Sequence, residues 1–397
     1  MAVSSFLVAA APGALQATAA EKPDLVVGNT GPYSGPASSY STMAKGLSAY
    51  FDMLNEQGGI RGRSVKFISY DDAYSPPKTV EQVRRLVEDD NVSVLLGMFG
   101  TGPNAAVQKY LNAKKIPQLF LITASGRFGH PENFAGTMGW QPTLLLEAKI
   151  FGQYILRTKP NAKIGIISQN DDLGRDAVAG LKAALGPRAT EMIVSSQVYN
   201  STDPVIDAQI AAIKAAGADT IYDAATAKYA AQAIKKAHEI DWHPLHLLSS
   251  ISANISTVLK PAGVKASRDI ISAFFLKDSS DPQWSQDLSM QAYKAWMGKY
   301  YSAGDIENPF NVIAYSMGQT FQKVAESCGD DVSGANIMAK AASMNFDLPM
   351  LLPGIVIKTS SSDYFPLQQM RLGRFDGERW QLFGDVFEDE ADLAEPR

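Results

Sequence analysis

The sequence predicts an α/β protein of two doubly wound, Rossmann-like lobes joined by three hinge crossovers, and three observations predict it. Short apolar runs alternate with amphipathic stretches from Leu25 to Ile122. The alternation restarts after Trp140-Gln141-Pro142, without obvious sequence identity to the first series. A helical run follows Phe275 and gives way to strands near the carboxyl end. Strand–helix–strand units with short loops form parallel sheets with right-handed crossovers and helices on both faces.

In the first series, the strand Leu25-Val26-Val27 runs into a Gly/Pro/hydroxyl loop, Gly31-Pro32-Tyr33-Ser34-Gly35-Pro36. Loops at the carboxyl ends of parallel strands are where α/β proteins place ligands. A helix from about Tyr40 to Gln57 puts Met43, Leu47, Tyr50, Phe51 and Leu54 on one face. Gly58-Gly59 ends it, because glycine adopts the left-handed cap conformation cheaply. A strand from Val65 to Tyr70 ends on Asp71-Asp72, and a helix follows from about Lys78 to Glu88. The strand Val92 to Leu96 leads through Gly97-Met98-Phe99-Gly100-Thr101-Gly102 to Pro103, placed at the first helical position, where a missing N–H costs nothing. That helix runs to about Asn112, and a strand covers Gln118 to Ile122.

The second series predicts helices at Leu144 to Leu156, Asp176 to Leu185, Pro204 to Ala216 and Lys228 to Ile240. Its strands are Lys163 to Ser168, Met192 to Val198, Thr220 to Tyr222, Leu245 to Leu248 and Ile270 to Phe274. Helices at Trp284 to Tyr300, Phe310 to Glu326 and Ala335 to Ala342 interrupt it. The end reads as antiparallel strands, Ile355 to Ile357, Leu367 to Leu372 and Arg379 to Phe387, with a turn at Asp376-Gly377. The chain is therefore expected to cross near Pro142, Phe275 and Leu352. One lobe takes residues 24–142 and 276–351, the other 143–275 and 352–391, with parallel hinge strands permitting closure.

Composition narrows the function. The 397 residues suffice for two domains, and 46% hydrophobic with 19% charged residues is ordinary for a soluble globular chain. A net charge of -5 gives no basic face for a nucleic acid. Residues 1–20 read as a secretory signal peptide cleaved after Ala19 or Ala20, with an apolar stretch from Phe6 to Ala11 and a small-residue tail, although no Lys or Arg stands near Met1. No later apolar run reaches the roughly 18 residues of a membrane span. The single cysteine, Cys328, forms no disulfide within the chain and has nothing nearby to activate a thiolate. His243 and His246 are separated by Pro244, which breaks any helix that would align them, so neither a metal nor a cofactor is expected. The dinucleotide glycine spacing, a phosphate-loop lysine and a Gly-x-Ser-x-Gly elbow are all missing.

Three first-lobe loops should meet at the cleft: Thr30 to Ser41, Phe99 to Asn104, and Thr123 to Arg127. Thr101-Gly102 at a helix start offers amides, a hydroxyl and a positive helix end, which suits a carboxylate. Thr101 also suits a cap, and the two roles coexist. Arg127 either pairs with a ligand carboxylate or holds a neighbour. Asp171-Asp172 reads as a solvated helix start or as a cation or hydroxyl site, and Asp176 as a response to the helix dipole alone.

The motifs Gly31-Pro-Tyr-Ser-Gly-Pro, Asn55-Glu-Gln-Gly-Gly-Ile-Arg-Gly, Tyr70-Asp-Asp-Ala and Gly97 to Thr101, in this order and spacing, resemble the periplasmic binding proteins of the branched-chain amino-acid type. Those are extracytoplasmic receptors of ABC importers, and the resemblance spans Leu25 to about Phe387. It implies the type I periplasmic binding protein fold. It implies that Thr101 and the turn Ile122-Thr123-Ala124-Ser125 hold a ligand carboxylate, largely through backbone groups. The position that is acidic in amino-acid binders falls at about Ser250, and the aromatic that closes over the ligand at about Leu173. The cysteine pair common in those binders is replaced by Tyr74 and Gly100. A buried ammonium without a counter-charge is expensive. The expected ligand is therefore an aromatic or other apolar monocarboxylate. Tyr33, Tyr40, Phe99, Phe128, Leu173, Tyr229, Phe274 and Phe275 offer walls for a ring, although no more than one of Phe274 and Phe275 should face the cleft. Thr226 joins the expected contacts from the second lobe.

The resemblance implies a monomeric periplasmic receptor that closes over its solute and presents both lobes to a membrane permease. A cytoplasmic ligand sensor of the same fold and a branched-chain amino-acid receptor are the alternatives. An α/β enzyme needs a nucleophile and base in the cleft, and the sequence nominates none.

Overall fold

A computed structural model of the chain describes Met1 and residues 22–388. The expected signal peptide lies outside the described residues apart from Met1. The strands β1 (Leu25–Gly31), β2 (Val65–Asp71), β3 (Val94–Leu96), β4 (Gln118–Leu121) and β5 (Thr137–Gly139) form a parallel sheet in the order β2-β1-β3-β4-β5. Both faces of such a sheet are covered, so β3 reads as an unbroken apolar run and is wholly buried. The helices α1 (Thr42–Glu56), α2 (Pro76–Glu88) and α3 (Thr101–Lys114) connect its strands. α1 buries the predicted stripe of Met43, Leu47, Tyr50, Phe51 and Leu54. It packs against the long helix Pro309–Ser327. The approach is close: a Cβ on Gly46 would stand 2.8 Å from that of Ala314.

A second sheet has seven strands. After α4 (Leu144–Thr158) come β6 (Ile164–Gln169), α5 (Asp172–Leu185), β7 (Ile193–Tyr199), β8 (Thr220–Ala224), β9 (Leu245–Leu248) and β10 (Ile271–Phe274). The short strands β11 (Asn345–Phe346) and β12 (Ile357–Lys358) pair only with each other, and β13 (Gln369–Phe375) and β14 (Trp380–Glu388) follow. The sheet order is β14-β13-β10-β9-β8-β6-β7, parallel from β10 to β7, with β13 and β14 antiparallel at one edge.

Three segments join the sheets. One is the stretch around Pro142, between β5 and α4. The other two lie antiparallel beside each other: the Leu352 amide donates to the Phe275 carbonyl and the Lys277 amide to the Met350 carbonyl, both at 2.9 Å. Paired connectors of this kind bend together and resist independent tumbling of the two halves.

Local departures from expectation have physical causes. α5 starts at Asp172 rather than near Asp176, because the Asp171 carboxylate caps it by accepting from the Gly174 amide. α3 starts at Thr101, so Pro103 is its third residue and not its first, still inside the turn where no N–H is needed. The stretch Ile355 to Ile357 does not join the carboxyl-terminal strands. Only Ile357 is extended, in β12, whose neighbour Thr359 is fastened to the Ala341 carbonyl and the Met344 amide. β5 carries no strand signal beyond three residues and escapes a reading of the sequence.

Candidate functional site: an apolar cavity between the two sheets

The carboxyl ends of the parallel strands face one another across a cavity. From the first half come Tyr40, Tyr74, Phe99, Gly100, Thr101, Ile122, Thr123 and Ala124. The opposing loops supply Leu173, Thr226, Ser250, Ile251 and Phe275, while Phe310 and Ile313 enter from the helix Pro309–Ser327. The cavity and its mouth together hold about 550 Å³ of space free of protein atoms, part of it open to solvent. No lining residue carries a charged side chain.

One end is polar. α3 opens at Thr101, and the first amides of a helix have no acceptor within it. The Thr101 and Thr123 hydroxyls are 2.7 Å apart, and the Ser125 amide donates to Thr123 Oγ1 at 3.2 Å. This end therefore combines hydroxyls, unpaired helix-start amides and a positive helix terminus, which suits an anionic oxygen. The remainder is aromatic. Tyr40 stacks on Phe99 at 4.5 Å and leans on Phe310 at 4.9 Å, and Tyr74 lies 5.7 Å from Phe99. Tyr74 and Gly100 fit each other. Gly100 has φ of 94°, and a Cβ there would sit 2.3 Å from Tyr74 Cε2.

The two halves are clamped together around the cavity. The Tyr40 hydroxyl accepts from the Ala227 amide at 2.9 Å and donates to the Ile251 carbonyl at 3.3 Å. Burial pushes this hydroxyl up to about 12, so it stays protonated. The Gln169 amide donates to the Tyr74 hydroxyl at 3.1 Å. Asp176 Oδ2 accepts from the Ser125 hydroxyl at 2.8 Å and the Gly126 amide at 2.7 Å, and burial raises the Asp176 carboxyl above its ordinary value. Its role thus exceeds the expected response to a helix dipole.

The cavity brings together Tyr40, Phe99, Thr101, Ile122, Thr123, Ala124, Leu173, Thr226, Ser250 and Phe275. Two of the expected contacts, Ser125 and Arg127, are not among the lining residues. Ser125 is committed to Asp176. Arg127 reaches Asp172 at 3.1 Å and Gln108 at 3.1 Å. Arg127 thus holds a neighbour, the Asp172 carboxylate at the start of the opposing helix. Tyr33 does not wall the cavity but bonds Ser69, and Phe128 is in the core behind α3. Phe274 packs on Trp380 at 4.9 Å, leaving Phe275 to face the cavity, and Tyr229 stacks on Tyr199. Among the described residues no group of three His, Cys, Asp or Glu is placed to hold a metal ion. His246 is bonded to Asp223, while His243 meets Asp241 on the surface.

One group has no local signal in the sequence. Glu147 is fully buried one layer behind the lining, where it accepts from the Ser250 amide at 2.8 Å and the Tyr222 hydroxyl at 3.0 Å. Burial raises its carboxyl above the ordinary value. The site thus has an acid near Ser250, but one already hydrogen-bonded and screened from the cavity by that residue.

A sequence-family profile described as "Periplasmic binding protein" matches residues 24–379. A Leu/Ile/Val-binding protein homologue of Brucella melitensis is 25% identical over 207 residues, 50% of this chain and 54% of the relative, so the match spans about half that protein's length. The fold is similar to that of a branched-chain amino-acid ABC transporter protein from Thermus thermophilus with bound valine, at TM-score 0.81 and 17% identity, covering 94% of this chain and 98% of that one. It is also similar to a solute-binding protein of an ABC transporter from R. palustris in complex with benzoate, at TM-score 0.77 and 20% identity, covering 93% and 98%. With the profile running through every strand of both sheets except the last, β14, and through every segment that joins them, the chain belongs to the periplasmic binding protein family.

Proposed function

We propose that this protein is the extracytoplasmic receptor of an ABC importer, without enzymatic activity, and that it closes over a small apolar monocarboxylate, aromatic or aliphatic, in preference to an amino acid. The observation that carries the ligand class is the cavity lining, which has helix-start amides and two hydroxyls at one end and no charged side chain anywhere. Each charge-assisted hydrogen bond to a carboxylate there contributes roughly 1.5–3 kcal/mol once water is excluded. An α-ammonium in the same cavity has no exposed partner, since Glu147 lies behind Ser250, and its desolvation goes uncompensated. The benzoate bound to the structural relative from R. palustris is a ligand of this chemistry, whereas the valine of the Thermus relative is not.

Binding begins on the first half, at Thr101 and the Ile122–Ala124 turn. Closure then brings Leu173, Thr226, Ser250 and Phe275 over the solute, and the closed form is offered to a permease. The protein acts as a monomer in the periplasm, its leader removed after about Ala19 or Ala20. Thermal unfolding in the presence of benzoate, phenylpropanoate, leucine and valine tests the ligand class. The acids should raise the midpoint and the amino acids should not. Stabilisation by leucine without stabilisation by the acids refutes it. Turnover of an ester or amide without binding of either class refutes the receptor reading.

A further inference from the structure

Beside the cavity lies a second chamber, with about 600 Å³ free of protein atoms, part of it open to solvent. The two chambers share Ser250, Phe275, Phe310 and Ile313 as lining. These side chains form a partition, and three of the four are apolar. The near part of the second chamber is apolar, with Ala253, Ile255, Ala273, Phe274 and Trp380. Its far part is polar and negative. The Lys277 ammonium is neutralised by Asp287 at 2.7 Å and also held by Ser289, which leaves the Asp278 and Glu307 carboxylates without a balancing cation in the lining. Asp278 is bonded through one oxygen to the amide and hydroxyl of Ser280.

We infer that the two chambers form one extended site, which takes an elongated monocarboxylate: its carboxylate at Thr101, its apolar body passing Phe275 and Phe310, and a hydrogen-bond donor such as a phenolic hydroxyl at the Asp278 end. This rests on the monocarboxylate reading and extends it. A ligand that spans both chambers displaces the Phe275, Phe310 and Ile313 side chains, which are the apolar part of that shared lining. The carboxylates at the far end, Asp278 half-buried and Glu307 on the surface, disfavour a second carboxylate on the ligand. They also distinguish a hydroxylated acid from a plain one, because a donor gains a charged acceptor there.

Isothermal titration of the full protein with benzoate, phenylpropanoate, its para-hydroxy derivative and its para-carboxy derivative tests this. The hydroxylated acid should bind at least about tenfold more tightly than benzoate, the margin expected for burying two further methylenes and a bonded hydroxyl. The para-carboxy acid should bind more weakly than the hydroxylated one. Ala253→Leu and Ile255→Phe line only the second chamber and partly fill it; Ala253 has φ of −75°, so leucine is accepted by the backbone. Each should abolish the margin while benzoate affinity stays within about threefold. Equal affinity for benzoate and the longer acids, or equal losses for both in the two variants, overturns the extended site alone. Failure of every acid to bind overturns the carboxylate reading beneath it.

Discussion

Tyr40→Phe separates closure from ligand contact. The hydroxyl joins the two halves through two bonds, one from the Ala227 amide at 2.9 Å and one to the Ile251 carbonyl at 3.3 Å. Ala227 is the first residue of the helix Ala227–Glu239, so its N–H has no acceptor within the helix. In the closed form that amide is covered, and removing the hydroxyl leaves it unpaired at a cost of about 1–3 kcal/mol. In the open form water takes the hydroxyl's place and the cost vanishes. The whole penalty therefore falls on closure, and ligand affinity should drop roughly 5- to 150-fold. The ring stays stacked on Phe99 at 4.5 Å, so the fold is retained. Titration calorimetry reads the affinity, and urea unfolding without ligand serves as the control. A closure defect weakens every ligand by one common factor, whereas loss of a ligand contact weakens some and spares others. Affinity within twofold of the parent, or losses that differ from ligand to ligand, refutes the argument.

Thr101→Val removes a hydroxyl from the polar end and should weaken acids by roughly 10- to 150-fold, the effect of one charge-assisted bond of about 1.5–3 kcal/mol, with circular dichroism unchanged; undiminished affinity would place the carboxylate elsewhere. Arg127→Ala breaks a half-exposed ion pair with Asp172, worth about 0.2–1 kcal/mol, and should cost no more than about fivefold in affinity, less at high salt. A loss of two orders of magnitude would put Arg127 on the ligand after all. Burial raises the carboxyl of Asp287, but the Lys277 ammonium, the Ser289 hydroxyl and the Met290 amide outweigh it and bring it to about 2. Such a carboxyl adds stability that is complete above its ordinary 3.8 and is lost as the pH falls through about 2. Asp287→Asn should flatten the fall of the urea midpoint across that window, and an unaltered slope would show that another group carries it.

The readable parts of this protein are those whose physics is local. Parallel strands covered on both faces leave apolar runs, and α1 leaves a stripe at 3.6-residue spacing, so both sheets apart from β5, and most helices, stand in the sequence with ends moved by a few residues. Thr101 and the Ile122–Ala124 turn are readable for the same reason, since ligand loops follow parallel strands. What is not readable depends on pairs made only by folding. Ser125 and Arg127 look like ligand groups until Asp176 and Asp172, 51 and 45 residues away, claim them. Phe310 and Ile313 look like core on the face of a long helix, and nothing local marks them as lining. Glu147 sits on an apolar helical face and acquires meaning only when Ser250, 103 residues later, is laid against it.

The absence of an acid at Ser250 is therefore a weaker argument, taken from sequence, than the same absence seen in three dimensions. A sequence without an acid at one position leaves open that another chain segment supplies it. Here another segment does supply a carboxylate, Glu147, and its hydrogen bonds support the proposed ligand class. Both of its oxygens are already bonded, by the Ser250 amide and the Tyr222 hydroxyl, and it is fully buried behind the lining. An ammonium at the cavity surface would meet Ser250, which lines the cavity, before that carboxylate, which does not. It would also have to compete with two hydrogen bonds that close the layer behind it. Tyr74 over Gly100 points the same way from the opposite wall. The pair fills the place of a cross-link with an aromatic face and makes that wall a surface for an apolar body. The two walls thus support the proposed ligand in the same sense, one by withholding a charge and the other by adding a ring, as a carboxylate without an ammonium requires.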